Sequence, residues 1–200
     1  MKLLALLILL ALPGFAALAP AVPPATVENS EEYAAWSAVL NYAYPADASR
    51  QLVIENRIPA VHQKPIPDAG RAYQSYSELE IIEEASRSPY TLEKKFTLKL
   101  PYVLIAKEDE PGFFLNPAGG GIDKEHGAKL QNAWDHFCKM YPGAYGIVQL
   151  SRVGFLNHMS QAAVLVTSRE GGSTSVSKLF LLTKKDGAWE VESVVPLMAA

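Results

Sequence analysis

The chain has 200 residues, with 18 Lys+Arg against 21 Asp+Glu for a formal net charge of −3, and a single cysteine, Cys138. That balance makes a poor nucleic-acid binder, because such affinity comes mainly from cations neutralising phosphates. One cysteine also excludes an internal disulfide, so the fold must be held together by packing.

Residues 1–21 read as an export signal, in which Lys2 supplies a short positive region and Leu3–Leu12 an apolar run before Pro13-Gly14. The run is shorter than the roughly 20 residues that span a bilayer, and no later stretch approaches that length. The expectation is a periplasmic or secreted protein with no membrane span after signal cleavage. A cut after Ala16 or after Ala21 has a small residue two positions upstream, and no cysteine lies near either to take a lipid anchor. Loss of Lys2 leaves 17 basic residues against 21 acidic ones, a net charge of −4.

Residues 22–28 form a proline-rich lead. Residues 29–200 are long enough for one domain with a substantial core. Asn29 and Ser30 are capping residues for a first helix with Glu31 and Glu32 in its first turn, where the helix dipole favours acids. Tyr33, Trp36, Val39, Leu40 and Ala43 follow at helical spacing, and Pro45 ends the stripe. Gln51–Glu55, QLVIE, is a short β-branched run that predicts a strand.

From Arg57 to Gln74 three prolines and Asp68-Ala69-Gly70 predict a long irregular connection, and Ser77 opens a short helix ending near Ala85. Phe96, Leu98, Leu100, Tyr102 and Leu104 alternate with Thr97 and Lys99, the period of a half-buried strand, with Pro101 pointing to an edge or bulge. Asn116–Gly121, NPAGGG, is a flexible joint. The next helix places Leu130, Ala133 or Trp134, Phe137, Cys138 and Tyr141 on one side until Pro142-Gly143 stops it.

Apolar runs at Gly146–Phe155, Ala162–Ser168, Ser177–Thr183 and Trp189–Val195 alternate with turn signals, and Lys185-Asp186-Gly187 is a strong hairpin turn between the last two. The expected fold is therefore α+β: an N-terminal helix and a mid-chain helix packed on an antiparallel sheet that ends in a β-meander. By analogy alone, helix followed by meander resembles the cone-like fold of nuclear transport factor 2, which carries no function with it.

The run YPGAYGIVQLSRVGF, with WDHF before it and QAAVLV and DGAWEV after it, carries a resemblance. It is similar to a group of largely uncharacterised exported bacterial proteins with the pattern W-x-x-F-x-x-x-Y-P-G, a strand ending S-R-V-G-F, then Q-A-L-V-Y-V and a closing G-x-W-K. The likeness covers the chain well from Trp134 onward, and EEYAAWSAVL and KLPYVLI more loosely. It implies an exported protein and no established activity. Members also tend to carry a Cys-Gly…Cys-Gly segment; the corresponding region, Ser168–Ser177, SREGGSTSVS, has no cysteine, so any role resting on that pair is absent.

Two residue groups invite a chemical reading. His136 and Cys138 are two apart on a helix, about 200° around the axis, so they cannot pair directly. A nucleophilic Cys138 would need His62, His126 or His158 brought to it by the fold, whereas a free cysteine in line with Phe137 and Tyr141 is expected to pack as a small hydrophobe. Ser151-Arg152 ends a strand on which Arg152 shares a face with Val148, Leu150 and Gly154. An arginine there either pairs with a carboxylate or lines an anion-binding cleft, with Gly154 leaving space beside it. Ser151 and Arg152 are accordingly the candidate ligand- or partner-binding residues.

No H-E-x-x-H, spaced Cys/His cluster, G-x-S-x-G, S-x-x-K or P-loop occurs, so no metal, cofactor or catalytic set is signalled. Glu78, Glu80, Glu83 and Glu84 read as a solvated acidic face, and His158 as an exposed loop residue. Trp36, Trp134 and Trp189 fall in regular elements and are expected in the core. The functional expectation is a non-catalytic extracytoplasmic module that binds an unknown protein or small molecule. Its competitors are a hydrolase assembled only in three dimensions and a structural envelope protein.

Overall fold

A computed structural model describes residues 24–60, 76–106, 124–171 and 175–199. The proposed signal segment, most of the Arg57–Gln74 connection and the NPAGGG joint lie outside them. In chain order the described elements are β1 (Ala25–Thr26), α1 (Ser30–Ala43), β2 (Gln51–Glu55), β3 (Arg57–Ile58), α2 (Tyr76–Ala85), β4 (Tyr90–Thr91), β5 (Tyr102–Ile105), α3 (Lys124–Met140), β6 (Ala144–Leu150), β7 (Gly154–Leu156), β8 (Gln161–Arg169), β9 (Ser175–Lys185) and β10 (Ala188–Ala199). The fold is α+β.

The main sheet has seven strands in the order β10-β9-β8-β6-β2-β5, with β7 also paired to β8. From β6 to β10 every pairing is antiparallel, and β9 turns into β10 through Asp186 (φ 51°) and Gly187 (φ 83°), the meander and hairpin expected. The sheet as a whole is mixed, however, because β2 runs parallel to both β5 and β6. Parallel neighbours require long crossovers, and the stretches joining β2 to β5 and β5 to β6 are long enough to provide them. The expected wholly antiparallel sheet is corrected on this point. A small second sheet, β1-β4-β3, ties the N-terminal lead to the chain after α2.

The helices do not share one face of the sheet. β2 is buried on both sides, with Leu52, Val53, Ile54 and Glu55 all at most 2% exposed, as a strand with parallel neighbours commonly is. Leu52 and Ile54 join Val148, Leu150, Val164, Phe180 and Leu182 in the large core under α1. Val53 and Ile147 face the other way and pack with Phe137 of α3. Ile82 of α2 packs on the same second face against Ala163 and Leu179.

Local chemistry sets the ends of these elements. Asn29 caps α1 by accepting the Glu31 N–H at 2.9 Å. Beyond α3, Gly143 has φ 74°, and a Cβ there would lie 2.3 Å from the Ser49 carbonyl oxygen, so only glycine fits the turn. The alternating run Phe96–Leu100 is not in the sheet. It is an extended strap beside α1, which donates from Asn41 Nδ2 to the Thr97 carbonyl, while Asn41 Oδ1 accepts from Lys99 N and Ser37 Oγ from Thr97 N.

Candidate binding cleft

Arg152 follows β6 and turns towards the first turn of α1. Its Nε and Nη2 donate to Glu32 Oε2 and Oε1 at 2.7 and 2.5 Å, a bidentate pair, and Val153 N donates to Glu32 Oε2 at 3.3 Å. Glu32 is 1% exposed, and the Arg152 guanidinium also lies 3.9 Å from the centre of the Tyr90 ring. Burial works against the charge on Arg152, but the Glu32 hydrogen bonds and charge outweigh it and hold its pKa above the ordinary arginine value. Of the two roles weighed for Arg152, the structure shows the pairing with a carboxylate.

Ser151 is equally engaged. Its hydroxyl accepts from Leu165 N at 2.9 Å and donates to the Arg152 carbonyl at 2.7 Å, and its carbonyl accepts from Trp36 Nε1 at 3.0 Å. Nor is there open space at Gly154. A Cβ there would stand 2.9 Å from Ile81 Cγ2 and 3.2 Å from Ile82 N, so the missing side chain is what lets α2 dock on β7. Ser151 and Arg152 therefore stand together as a clasp between α1, β6 and β8.

Cys138 is exposed, contrary to the packing expected of it. The inward face of α3 carries Ala133 and Phe137, followed just past its end by Tyr141, with Trp134 stacked on Phe137 at 5.2 Å. One residue beyond Phe137, Cys138 is turned about 100° away from the sheet. His136 and His158 are exposed, and His62 lies outside the described residues. Trp36 and Trp189 are buried in the large core, as expected of them, whereas Trp134 is half-buried beside Phe137. Among the described residues, no group of three or more His, Cys, Asp or Glu side chains is arranged to hold a metal ion. No helix among them is long and apolar enough to cross a membrane.

A concave surface lies elsewhere, over the outer face of α1. This cleft of about 590 Å³ is floored by Ser30, Ala34 and Ser37, walled on one side by Lys95 and Thr97 of the strap and on the other by Gly187, Ala188 and Trp189 of the β9–β10 hairpin. Both walls are fixed to α1. On the strap side Tyr33 Oη accepts from Glu93 N at 2.8 Å and Lys95 pairs with Glu93. On the hairpin side Glu31 Oε2 accepts from Lys184 Nζ at 2.7 Å and Trp189 Nε1 at 3.0 Å, and these bonds hold the Glu31 carboxyl below its ordinary pKa.

The cleft thus offers the Ser30 and Thr97 hydroxyls, the Lys95 ammonium group beside Glu93, and the Glu28 carboxylate at the edge of an aromatic core. Its size falls within the few hundred to about 1,000 Å³ typical of small-ligand sites. Sequence reading missed it, because its parts come from three distant segments and its floor is the polar side of a helix whose apolar stripe held the signal. Comparison with protein-family models, curated proteins and solved structures found no match to this chain.

Proposed function

We propose that this chain is an exported, non-catalytic binding module, periplasmic or secreted, that takes a small molecule or a short protein segment in the cleft over α1. The observation that carries the reading is the division of labour between the two polar regions. Arg152 and Ser151 hold α1 to the sheet, while the α1 cleft gathers Glu28, Ser30, Thr97 and the Glu93-paired Lys95 between two anchored walls. Export is supported by Lys2 and the apolar run Leu3–Leu12, and by the resemblance of the YPGAYGIVQLSRVGF region to exported bacterial proteins.

Native mass spectrometry of the protein recovered gently from the extracytoplasmic fraction of its own cells tests both halves. The expected result is a chain shortened at Ala16 or Ala21 that carries a discrete co-purifying mass. A full-length chain found only inside the cell, or a bare chain at every concentration tried, contradicts the proposal.

A further inference from the structure

The charges around the α1 cleft do not balance. On the strap wall Lys95 pairs with Glu93, and on the hairpin side Lys184 pairs with Glu31 at 2.7 Å and Lys185 with Glu190 at 3.1 Å. Arg152 is matched by Glu32. Lys94, next along the strap, lies 5.4 Å from the centre of the Tyr102 ring and does not line the cleft. Glu28 is the exception. It lines the cleft, is exposed, and makes no hydrogen bond or ion pair among the described residues; its charge reaches Lys95 only beyond ion-pair distance.

The opposing effect is the dipole of α1, whose N-terminus carries roughly half a positive charge. That is less than the full charge of Glu28, and Asn29 already accepts from one of the free amides there, Glu31 N. The end of the cleft beside Glu28 and Ser30 is therefore negative. From Ser30 to Ser37 the floor runs seven residues along the helix, about 10 Å at 1.5 Å per residue, with Ala34 between them and Ala188 on the hairpin wall. At the far end Ser37 Oγ is already used, donating to the Tyr33 carbonyl and accepting from Thr97 N, whereas the Thr97 hydroxyl makes no bond among the described residues. The cleft is thus an elongated site with a carboxylate and a hydroxyl at one end, a small apolar floor, and a hydroxyl at the other.

We infer that the α1 cleft takes a small primary amine in its ammonium form. Glu28 pairs with the ammonium group and the Ser30 hydroxyl accepts one of its N–H bonds, an apolar body lies over Ala34 and Ala188, and a distal polar group meets the Thr97 hydroxyl. This assignment rests on the binding role proposed above for the cleft.

Isothermal titration of the full chain with tyramine tests it, using tyrosol and 3-(4-hydroxyphenyl)propionate as controls that keep the ring and its hydroxyl but replace the ammonium by a neutral hydroxyl or a carboxylate. The expected result is saturable binding of tyramine that is several-fold tighter than that of either control. Glu28→Gln, which removes an exposed charge held by no bond, should melt like wild type and bind tyramine several-fold more weakly, the range of a solvent-exposed ion pair. Equal binding of the three compounds, no binding of tyramine, or an unchanged tyramine affinity in Glu28→Gln overturns the amine assignment. In each of those cases a co-purifying mass that wild type carries and Ala34→Arg lacks leaves the cleft standing as a site for another ligand, and its absence removes the cleft reading as well.

Discussion

Glu32 sits at 1% exposure in the first turn of α1, and what keeps a carboxylate there is the bidentate grip of Arg152 and the Val153 amide. Removing one partner of such a pair leaves a buried charge without its counter-ion, which typically costs about 3–5 kcal/mol. Arg152→Ala is therefore expected to lower the unfolding free energy in urea by about that amount, and Arg152→Lys to recover only part of it, because an ammonium cannot reproduce the two-pronged geometry. Equal stability of Arg152→Ala and wild type would remove the clasp from the account. Glu31 gives a pH prediction. Its pKa is lowered in the fold by Lys184 and Trp189, so its contribution is present above the ordinary carboxyl value of 4.5 and is lost as pH falls below it. Glu31→Gln should flatten that part of the pH–stability curve, modestly because the side chain is 36% exposed.

The role of Glu32 was partly legible in the sequence. It lies four residues before Trp36 and so on the buried side of the stripe, but an acid in a first helical turn has a sufficient explanation in the helix dipole, and its partner is 120 positions away. Cys138 failed for a simpler reason: the stripe of α3 is narrow, and a residue adjacent to Phe137 falls outside it.

At the scale of elements, the strap shows how an apolar alternation can mislead. Phe96 and Leu100 are buried as the period of two requires, yet the backbone between them bonds to Ser37 and Asn41 on a helix instead of to another strand. Asn41→Ala removes two of these bonds and is expected to destabilise the protein by about 1–2 kcal/mol, with faster amide exchange concentrated at Lys99. Uniform acceleration across the sheet would show that the strap is held by its apolar contacts alone. The elements with strong periodic or turn signals, α1, β2, α3 and the β9–β10 hairpin, were legible. The two-residue strands β1, β3 and β4 were not, since two residues carry no period, and the parallel pairing of β2 depends on crossovers that no local pattern encodes.

At the scale of the whole molecule, the sheet ends on β10, a long strand with no partner on its outer edge among the described strands. Register shifts between Val191 and Ser193 and between Pro196 and Met198, the missing N–H of Pro196, and the exposed Glu190 and Glu192 all discourage another strand from adding there. The chain is accordingly expected to remain monomeric in light scattering at micromolar concentration; a dimer dissociated by substituting β10 residues would contradict that reading of the edge.

The central claim is the separation of a structural clasp at Arg152 from a binding surface over α1, and a two-variant comparison tests it most directly. Ala34 is exposed on the cleft floor, and an arginine there fills the cleft without disturbing the core. Native mass spectrometry of the protein recovered from its own cells, with thermal melts alongside, should show Ala34→Arg melting like wild type but without the co-purifying mass, and Arg152→Ala, kept below its lowered melting temperature, still carrying it. Loss of the mass from a folded Arg152→Ala protein, with Ala34→Arg unaffected, would contradict the account and place the site at the arginine.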